Sequence, residues 1–178
     1  LTKEKWREIF TEARDVMGIH IFPIVGGEPF CRREFLELCE EFNDCTFITF
    51  TNGSLITEKT VEKLKKLGNV QPMFSLGGMR ENNDKIRGEG CFDMVMKKMD
   101  MLKKAGIFFG SSITVTRENC NEVTSDEFMK MLSDKGCLWS WFFHYVPIGE
   151  NPDVDLVPDA KQRQQILKAV YNARNTLP

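Results

Sequence analysis

The stretch Ile21-Phe22-Pro23-Ile24-Val25-Gly26-Gly27-Glu28-Pro29-Phe30 decides the fold of this chain. Its first five residues are apolar, which predicts a buried strand. Apolar residues then recur at helical spacing, at Phe35, Leu38, Cys39 and Phe42. Two glycines and a proline therefore lie between the carboxyl end of a strand and a helix, where parallel α/β proteins bind ligands. Glycine lets a ligand contact bare backbone there, although the same residues also fit an ordinary tight turn.

The composition fits a single domain over residues 1–178. Of the 178 residues, 42% are hydrophobic, which is enough for a sizeable core. A net charge of −2 gives no electrostatic reason to expect nucleic acid or a membrane surface as a partner. No apolar run approaches the ~18 residues of a spanning helix, and no signal peptide begins the chain. We therefore expect a soluble, cytoplasmic protein.

The cysteines and histidines give no metal-binding motif. None of the six cysteines pair as Cys-x-x-Cys, and most have apolar neighbours, which predicts reduced, buried thiols. His20 and His144 fall in predicted strands, where we expect them to be packed rather than bound to metal. The prediction is therefore that this chain holds no metal through its own residues.

Strands and helices alternate along the whole chain. Five strands are predicted, at 20–25, 46–51, 70–76, 107–115 and 138–146. Six helices are predicted around them, at 2–17, 32–42 and 57–67, from Phe92 to Gly106, from Thr124 to Gly136, and from Asp159 to about Thr176. The fifth helix opens on the capping box Thr124-x-x-Glu127. The polar stretch from Arg80 to Gly90 is predicted to be a long loop.

This alternation predicts a parallel α/β sheet with right-handed crossovers. A doubly wound sheet and a piece of a (βα) barrel both fit it. Two observations favour the barrel: no glycine-rich dinucleotide fingerprint follows any strand, and the chain opens and ends on helices. The expected fold is therefore a truncated partial TIM barrel of parallel (βα) units, whose first strand is missing.

Small polar residues follow the predicted strands. In a parallel barrel all strand ends share one face, so these residues are expected to form one pocket of exposed backbone, small hydroxyls and an amide. Such a pocket suits a polar, zwitterionic small molecule better than a metal. The strand ends are Gly26-Gly27-Glu28-Pro29, Thr51-Asn52-Gly53, Ser75-Leu76-Gly77-Gly78, Thr114-Val115-Thr116 and His144-Tyr145-Val146-Pro147.

This set of strand ends resembles the radical S-adenosylmethionine (radical SAM) enzymes, in the branch that includes peptide-modifying maturases. Gly26-Gly27-Glu28-Pro29 matches the family's Gly-Gly-Glu-Pro element, whose backbone holds the methionine amino group of the cofactor. Thr51-Asn52-Gly53 matches the next strand end. Ser75-Leu76-Gly77-Gly78 resembles the Ser-hydrophobic-Asp-Gly stretch, and Asp84-Lys85-Ile86-Arg87-Gly88 matches Asp-x-x-Arg-Gly. Tyr145-Val146-Pro147 resembles the segment that passes the adenine.

The resemblance implies that S-adenosylmethionine binds at this edge. In the family the serine and the arginine, here Ser75 and Arg87, help to hold the ribose or the carboxylate. A [4Fe-4S] cluster chelates the cofactor and supplies the electron that generates a 5′-deoxyadenosyl radical. No residue here is expected to act as an acid or base, and the catalytic residues stay unassigned. The implied cofactor-binding residues are Gly26, Gly27, Glu28, Pro29, Thr51, Asn52, Ser75, Arg87, Thr114, Tyr145 and Val146.

Three of these residues have simpler interpretations. Glu28 is expected to brace the turn or a neighbouring backbone, and Arg87 also fits an ordinary surface residue in a polar loop. Asn52 fits a turn or helix cap equally well.

The chain departs from the family pattern at two points. Gly77 stands where the family has aspartate, and the cluster-binding Cys-x3-Cys-x2-Cys is absent. We expect truncation, with the first strand and the cluster loop before Leu1 and further sequence beyond Pro178. The alternative is a degenerate member without a cluster.

Three functions follow as hypotheses. The first is the central part of a radical SAM enzyme that acts on a small-molecule or peptide substrate, a part that is inactive alone. The second is a non-catalytic scaffold that self-associates through the open sheet edge beside Ile21–Val25. The third is another α/β enzyme that binds a phosphate or sugar at the same strand ends.

Overall fold

The computed structural model describes residues 1–177, and its five strands form one parallel sheet. The spatial order of the strands is their order in the sequence. A doubly wound sheet reverses its strand order at a switch point, so this order excludes that alternative and confirms the barrel piece. The sheet curls into a half-barrel with the helices outside it. Its strands are β1 (Ile21–Ile24), β2 (Thr46–Thr51), β3 (Val70–Leu76), β4 (Gly110–Val115) and β5 (Ser140–His144).

Eight α-helices are present among the described residues, two more than the sequence predicts. Two short 3-10 helices, Pro29–Cys31 and Val154–Leu156, accompany them. The α-helices are α1 (Lys3–Asp15), α2 (Arg33–Glu41), α3 (Glu58–Leu67), α4 (Arg80–Arg87), α5 (Cys91–Ala105), α6 (Cys120–Val123), α7 (Asp126–Asp134) and α8 (Ala160–Thr176).

The first added helix, α4, replaces the predicted polar loop. Its sequence carries no apolar period, but tertiary hydrogen bonds hold it. Asp84 within α4 accepts hydrogen bonds from the backbone N–H groups of Gly90 (2.9 Å) and Phe92 (2.8 Å), which join α4 to α5. The prediction of a loop was wrong, because it relied on the apolar pattern and these hydrogen bonds are not part of that pattern.

The predicted start of the fifth helix was wrong by one residue. Ser125 caps α7, because its Oγ accepts from the backbone N–H of Phe128 at 3.2 Å. The Thr124 hydroxyl instead donates to the carbonyl of Cys120 at 2.7 Å, at the end of α6. Thr57 caps α3 and Asp159 caps α8, each where the sequence predicts that the helix begins.

The core lies between the sheet and the helices that cover its outer face. Phe47 of β2 is fully buried at its centre, 5.4 Å from Phe10, 5.5 Å from Phe22 and 6.2 Å from Phe35 between ring centroids. The pairs with Phe10 and Phe35 are edge-on and the pair with Phe22 is stacked, and aromatic rings favour edge-on and offset-stacked arrangements. The helical face of α1 and the outer face of the sheet therefore meet through aromatic rings.

The first strand is less buried than its apolar sequence predicts. It pairs with β2 alone, and the side chain of Ile21 is 59% exposed. A strand at the edge of a sheet has a neighbour on one side only. The open edge beside β1 is therefore present in the structure.

The cysteines and histidines are less buried than the sequence analysis predicts. No disulfide joins any cysteines of residues 1–177; Cys39, Cys45 and Cys120 are buried, but Cys31 is exposed and Cys91 and Cys137 are half-buried. Both histidines are exposed rather than packed, and His20 lies just before β1. None of the helices within residues 1–177 combines the length and the hydrophobicity that a membrane span requires.

Replacing the central aromatic residue tests this core. Phe47→Ala is expected to lower the free energy of unfolding by about 3 to 5 kcal/mol, because it empties a fully enclosed site. Phe108→Ala is the matched control: Phe108 is 67% exposed, and its loss is expected to change stability by less than about 0.5 kcal/mol. Urea denaturation of both variants measures the difference, and equal losses would contradict this core.

Candidate functional site

A cavity of about 560 Å³ opens at the carboxyl ends of the strands. Four of the predicted site residues line it: Asn52 after β2, Arg87 of α4, Thr114 of β4 and Tyr145 after β5. The remaining lining residues are partly apolar and partly polar, and they are Ile86, Met94, Val95, Leu156, Cys91, Gly77, Ser54, Thr116 and Glu118. Ligand pockets of roughly 300 to 1,000 Å³ are the usual size for small molecules and cofactors. The strand ends therefore form a ligand-sized pocket, as the sequence predicts.

The two glycines of the Gly-Gly-Glu-Pro turn leave its backbone uncovered. Gly26 has a φ of +123°, which side chains rarely adopt. No atom lies within 4 Å of a Cβ built on either Gly26 or Gly27, so their backbone faces open space. Pro29 is buried and begins the 3-10 helix that follows. The turn thus presents bare backbone at the end of β1.

Glu28 joins the end of β1 to the end of β2. Its carboxylate accepts hydrogen bonds from the Thr51 hydroxyl at 2.8 Å and from the backbone N–H of Asn52 at 2.9 Å. The Thr51 Oγ1 also accepts from the backbone N–H of Gly53 at 3.0 Å. The expectation that Glu28 braces a neighbouring backbone is confirmed by its hydrogen bond from Asn52. The Thr51 hydroxyl is held by the same carboxylate.

The remaining predicted residues do not all face the main cavity. Gly27, Glu28 and Pro29 line a second cavity of about 190 Å³, which lies beside α1 and α2. Gly26, Thr51, Ser75 and Val146 line neither cavity, and Val146 is 61% exposed. The structure therefore brings four of the predicted side chains into one pocket, and the glycine turn does not line that pocket.

Two asparagines that the sequence analysis missed fasten the strand ends. The side-chain amide of Asn119 donates to the carbonyls of Gly77 (2.8 Å) and Thr114 (2.9 Å), and its oxygen accepts from the backbone N–H of Thr116 (2.8 Å). Asn83 accepts from the backbone N–H of Gly77 at 3.0 Å. Both asparagines are buried, at 1% and 0% exposure. Their polarity suggested loops, and only burial in the fold reveals their role.

Gly77, the departure from the family aspartate, is packed closely. A Cβ at this position would lie 2.9 Å from the Cδ1 of Ile86, so a larger residue would displace that side chain. Ile86 itself lines the main cavity. The glycine therefore lets α4 approach the end of β3.

Glu122 holds the start of α4. Its Oε2 accepts from the backbone N–H of Met79 at 2.9 Å and from the side-chain amide of Asn82 at 3.0 Å. A carboxylate at a helix N-terminus satisfies free N–H groups and stabilises the helix dipole. Gly78 makes the approach possible, because a Cβ there would lie 2.1 Å from the Glu122 carboxylate. The position of α4, and hence of Arg87, follows from this contact.

Arg87 is half-buried at the wall of the main cavity, at the last residue of α4. Burial lowers the pKa of its guanidinium. Its Nε is buried and has no hydrogen-bond partner within residues 1–177. A buried donor without a partner costs about 1 to 3 kcal/mol, and more when it is charged. An anionic group in the cavity would satisfy it, so Arg87 is not an ordinary surface residue.

Tyr145 connects the pocket to the loop after β5. Its backbone N–H donates to the carbonyl of Val115 at 2.8 Å, and its hydroxyl accepts from the backbone N–H of Asp153 at 3.3 Å. The loop that carries Leu156 therefore folds back over the cavity.

Residues 1–132 match the sequence model of the Radical SAM superfamily. The chain belongs to the radical SAM superfamily. It is 33% identical to the mycofactocin maturase MftC of Mycolicibacterium smegmatis over 172 residues, which are 93% of this chain and 43% of that protein. It is 29% identical to an AdoMet-dependent heme synthase of Methanosarcina barkeri over 164 residues, 90% of this chain and 46% of that protein.

Solved structures of this superfamily share the fold. The crystal structure of Streptococcus suis SuiB superposes with a TM-score of 0.84 at 20% identity, covering 99% of this chain and 42% of SuiB. SuiB bound to S-adenosylmethionine superposes with a TM-score of 0.82. This radical SAM chain thus spans less than half the length of these relatives. The superfamily uses S-adenosylmethionine and a [4Fe-4S] cluster.

The described residues fit S-adenosylmethionine, but they provide no cluster site. The cavity, the bare glycine backbone and the unpaired Nε of Arg87 suit a zwitterionic ligand. The cluster motif is absent, and no three cysteines within residues 1–177 converge as ligands. Cluster ligands are therefore not found in the described part of the chain.

Removing Asn119 tests how the strand ends are fastened. Asn119→Ala is expected to lower the free energy of unfolding by about 1 to 3 kcal/mol, because buried carbonyls at two strand ends lose their donor. Asn172→Ala, on the exposed face of α8, is the control and is expected to change stability by less than about 0.5 kcal/mol. Urea denaturation measures both, and equal effects would refute the fastening role.

Proposed function

We propose that this chain forms the cofactor-holding part of a radical SAM enzyme, which binds S-adenosylmethionine at the carboxyl ends of the strands. The observation that carries the proposal is the buried, unpartnered Nε of Arg87 at the wall of a 560 Å³ cavity. A carboxylate or a ribose oxygen of the cofactor would accept from it. The [4Fe-4S] cluster would be held by a Cys-x3-Cys-x2-Cys loop outside this chain.

The remaining residues take their roles from their places at this edge. The open backbone of Gly26 and Gly27 would accept the methionine amino group, and Pro29 stiffens that turn. Glu28 fixes Thr51 and Asn52 beside that turn through the two hydrogen bonds that its carboxylate accepts from them. Hydroxyl and aromatic groups further along the sheet would contact the ribose and the adenine, namely those of Ser75, Thr114 and Tyr145, beside the exposed Val146.

The chemistry comes from the cofactor, while the protein positions it and excludes water. Bound together with a reduced cluster, S-adenosylmethionine would supply radical chemistry that removes a hydrogen atom from the substrate. The apolar side chains of Ile86, Met94, Val95 and Leu156 on the cavity wall would shield part of the bound cofactor from water. No side chain of the cavity is needed as an acid or a base.

The relatives support a proposal for the class of substrate and for the cellular location. The maturases and the structure of SuiB with its precursor peptide SuiA support a peptide substrate, whereas the heme synthases support a small molecule. We propose a cytoplasmic enzyme that acts on one of these classes. Family membership favours this function over a phosphate- or sugar-binding enzyme. The open edge of β1, with Ile21 59% exposed, supports self-association as a second property of the isolated chain.

Cofactor binding tests the role of Arg87. The isolated chain is expected to bind S-adenosylmethionine weakly, and Arg87→Met is expected to weaken binding at least about tenfold, through loss of a charge-assisted hydrogen bond. Because the buried Nε lacks a partner in the free chain, the same change is expected to leave thermal stability unchanged or to raise it. Isothermal titration and thermal unfolding measure the two effects.

Arg80→Met is the matched control for that experiment. Arg80 lies on the same helix, but it is exposed and pairs with Asp93 on the surface. Its loss is expected to leave cofactor affinity unchanged within about twofold. Equal affinities of the Arg87→Met variant and the unmodified chain, or no binding by the unmodified chain at millimolar cofactor, would refute the site.

Radical chemistry is tested in a longer protein that carries this chain together with a Cys-x3-Cys-x2-Cys loop. After anaerobic reconstitution and reduction, we expect 5′-deoxyadenosine to form, and Arg87→Met to reduce its rate. The isolated chain is expected to form none and to bind no stoichiometric iron and sulfide. A cluster-loaded protein that makes no 5′-deoxyadenosine would refute the enzymatic function.

A further inference from the structure

Three side chains with metal-ligating atoms converge at the opposite end of the sheet from the cofactor cavity. His20 lies immediately before β1, and Asp44 and Cys45 lie immediately before β2. The Cys45 Sγ is 3.9 Å from the His20 Nδ1 and 3.7 Å from the Asp44 Oδ1, and all three ligand atoms lie within 4.8 Å of one another. Parallel pairing of the two strands produces this convergence from residues that are more than twenty positions apart.

We propose that His20, Asp44 and Cys45 form a binding site for a divalent transition-metal ion, with zinc as the preferred ion. Imidazole, carboxylate and thiolate are all zinc ligands, and tetrahedral zinc with these ligands separates the donor atoms by roughly 3.3 to 3.6 Å. The Cys45 Sγ separations of 3.9 and 3.7 Å need a small contraction. The ligand atoms of His20 and Asp44, which lie within 4.8 Å of each other, need a larger movement that these two exposed side chains can make. Cys45 is buried, while His20 and Asp44 are exposed, so an ion reaches the site from solvent and keeps a position for water.

The surrounding charges are compatible with a divalent ion. Arg14 approaches Asp44 through one contact of 3.4 Å, but it holds Asp15 through two contacts, at 2.6 and 3.3 Å. Asp44 can therefore turn to a metal while Arg14 stays paired with Asp15. The ion would then balance the Asp44 carboxylate and the Cys45 thiolate, and the thiol proton would pass to solvent on binding.

The expected effect is a clamp on the edge strand. The backbone N–H of Thr46 already donates to the carbonyl of His20 at 2.7 Å, at the first residues of the β1–β2 pair. A metal bound beside this hydrogen bond would join the chain before β1 to the chain before β2. Because a ligand that binds only the folded state stabilises it, zinc is expected to raise the temperature of unfolding.

Cobalt titration of the reduced, metal-free chain tests the site directly. Co²⁺ is expected to bind with one-to-one stoichiometry and to give a thiolate-to-cobalt charge-transfer absorption. His20→Ala is expected to weaken binding at least about tenfold, since it removes one of three protein ligands. Cys45→Ser is expected to abolish the charge-transfer band. Cys31→Ser, which removes an exposed thiol elsewhere, is the control and is expected to bind as the unmodified chain does.

Thermal unfolding gives a second readout that needs no thiolate band. Zinc is expected to raise the unfolding temperature of the unmodified chain and of Cys31→Ser, but not of His20→Ala. His20 is exposed, so its replacement is not expected to prevent folding. Absence of the cobalt band in the unmodified chain, or an unchanged cobalt affinity in His20→Ala, would refute the site. Neither measurement involves S-adenosylmethionine, so the outcome is independent of the proposed enzymatic function.

Discussion

Parallel pairing of five strands in sequence order is the constraint on which the rest of this structure depends. It places every strand's carboxyl end at one edge, so residues far apart in sequence meet there. Side chains then fix the relative positions of these ends. Glu28 joins β1 to β2, and Asn119 joins the end of β3 to the end of β4 through the carbonyls of Gly77 and Thr114. The pocket is therefore built by the backbone and held by a few buried polar groups.

Helix α4 places the Arg87 guanidinium at the cavity wall, where its unpartnered Nε costs stability. Glu122 and Asn83 fasten its start, and Asp84 joins it to α5. The helix then delivers Arg87 to the cavity wall with an unpartnered Nε. A buried donor without a partner lowers the stability of the free chain, and such groups are rare in native proteins. The cost is explained if an anionic group of the cofactor completes the hydrogen bond.

Much of this fold could be predicted from the sequence, because alternating apolar periods and caps are local signals. All five strands and the superfamily were predicted correctly. Helix α4 was not, since its stability comes from Glu122, which lies forty residues away in sequence from Asn82. Burial of Asn83 and Asn119 and convergence of His20 with Cys45 depend on strand pairing, which no local pattern reveals. The strand-end residues were predicted through resemblance. Which of them line the 560 Å³ cavity, which line the 190 Å³ cavity and which line neither depends on the three-dimensional fold.

The central claim is that the carboxyl edge of the sheet holds S-adenosylmethionine through Arg87 and the glycine turn. The most direct measurement is a ¹H–¹⁵N correlation spectrum of the labelled chain, recorded during titration with S-adenosylmethionine, because it reports both backbone amides and the Arg87 Nε–H. The account predicts shifts of that side-chain signal and of the backbone amides of Gly27, Asn52 and Tyr145. Shifts confined to residues around Trp6, or no shift of the Arg87 Nε–H at saturation, would contradict it.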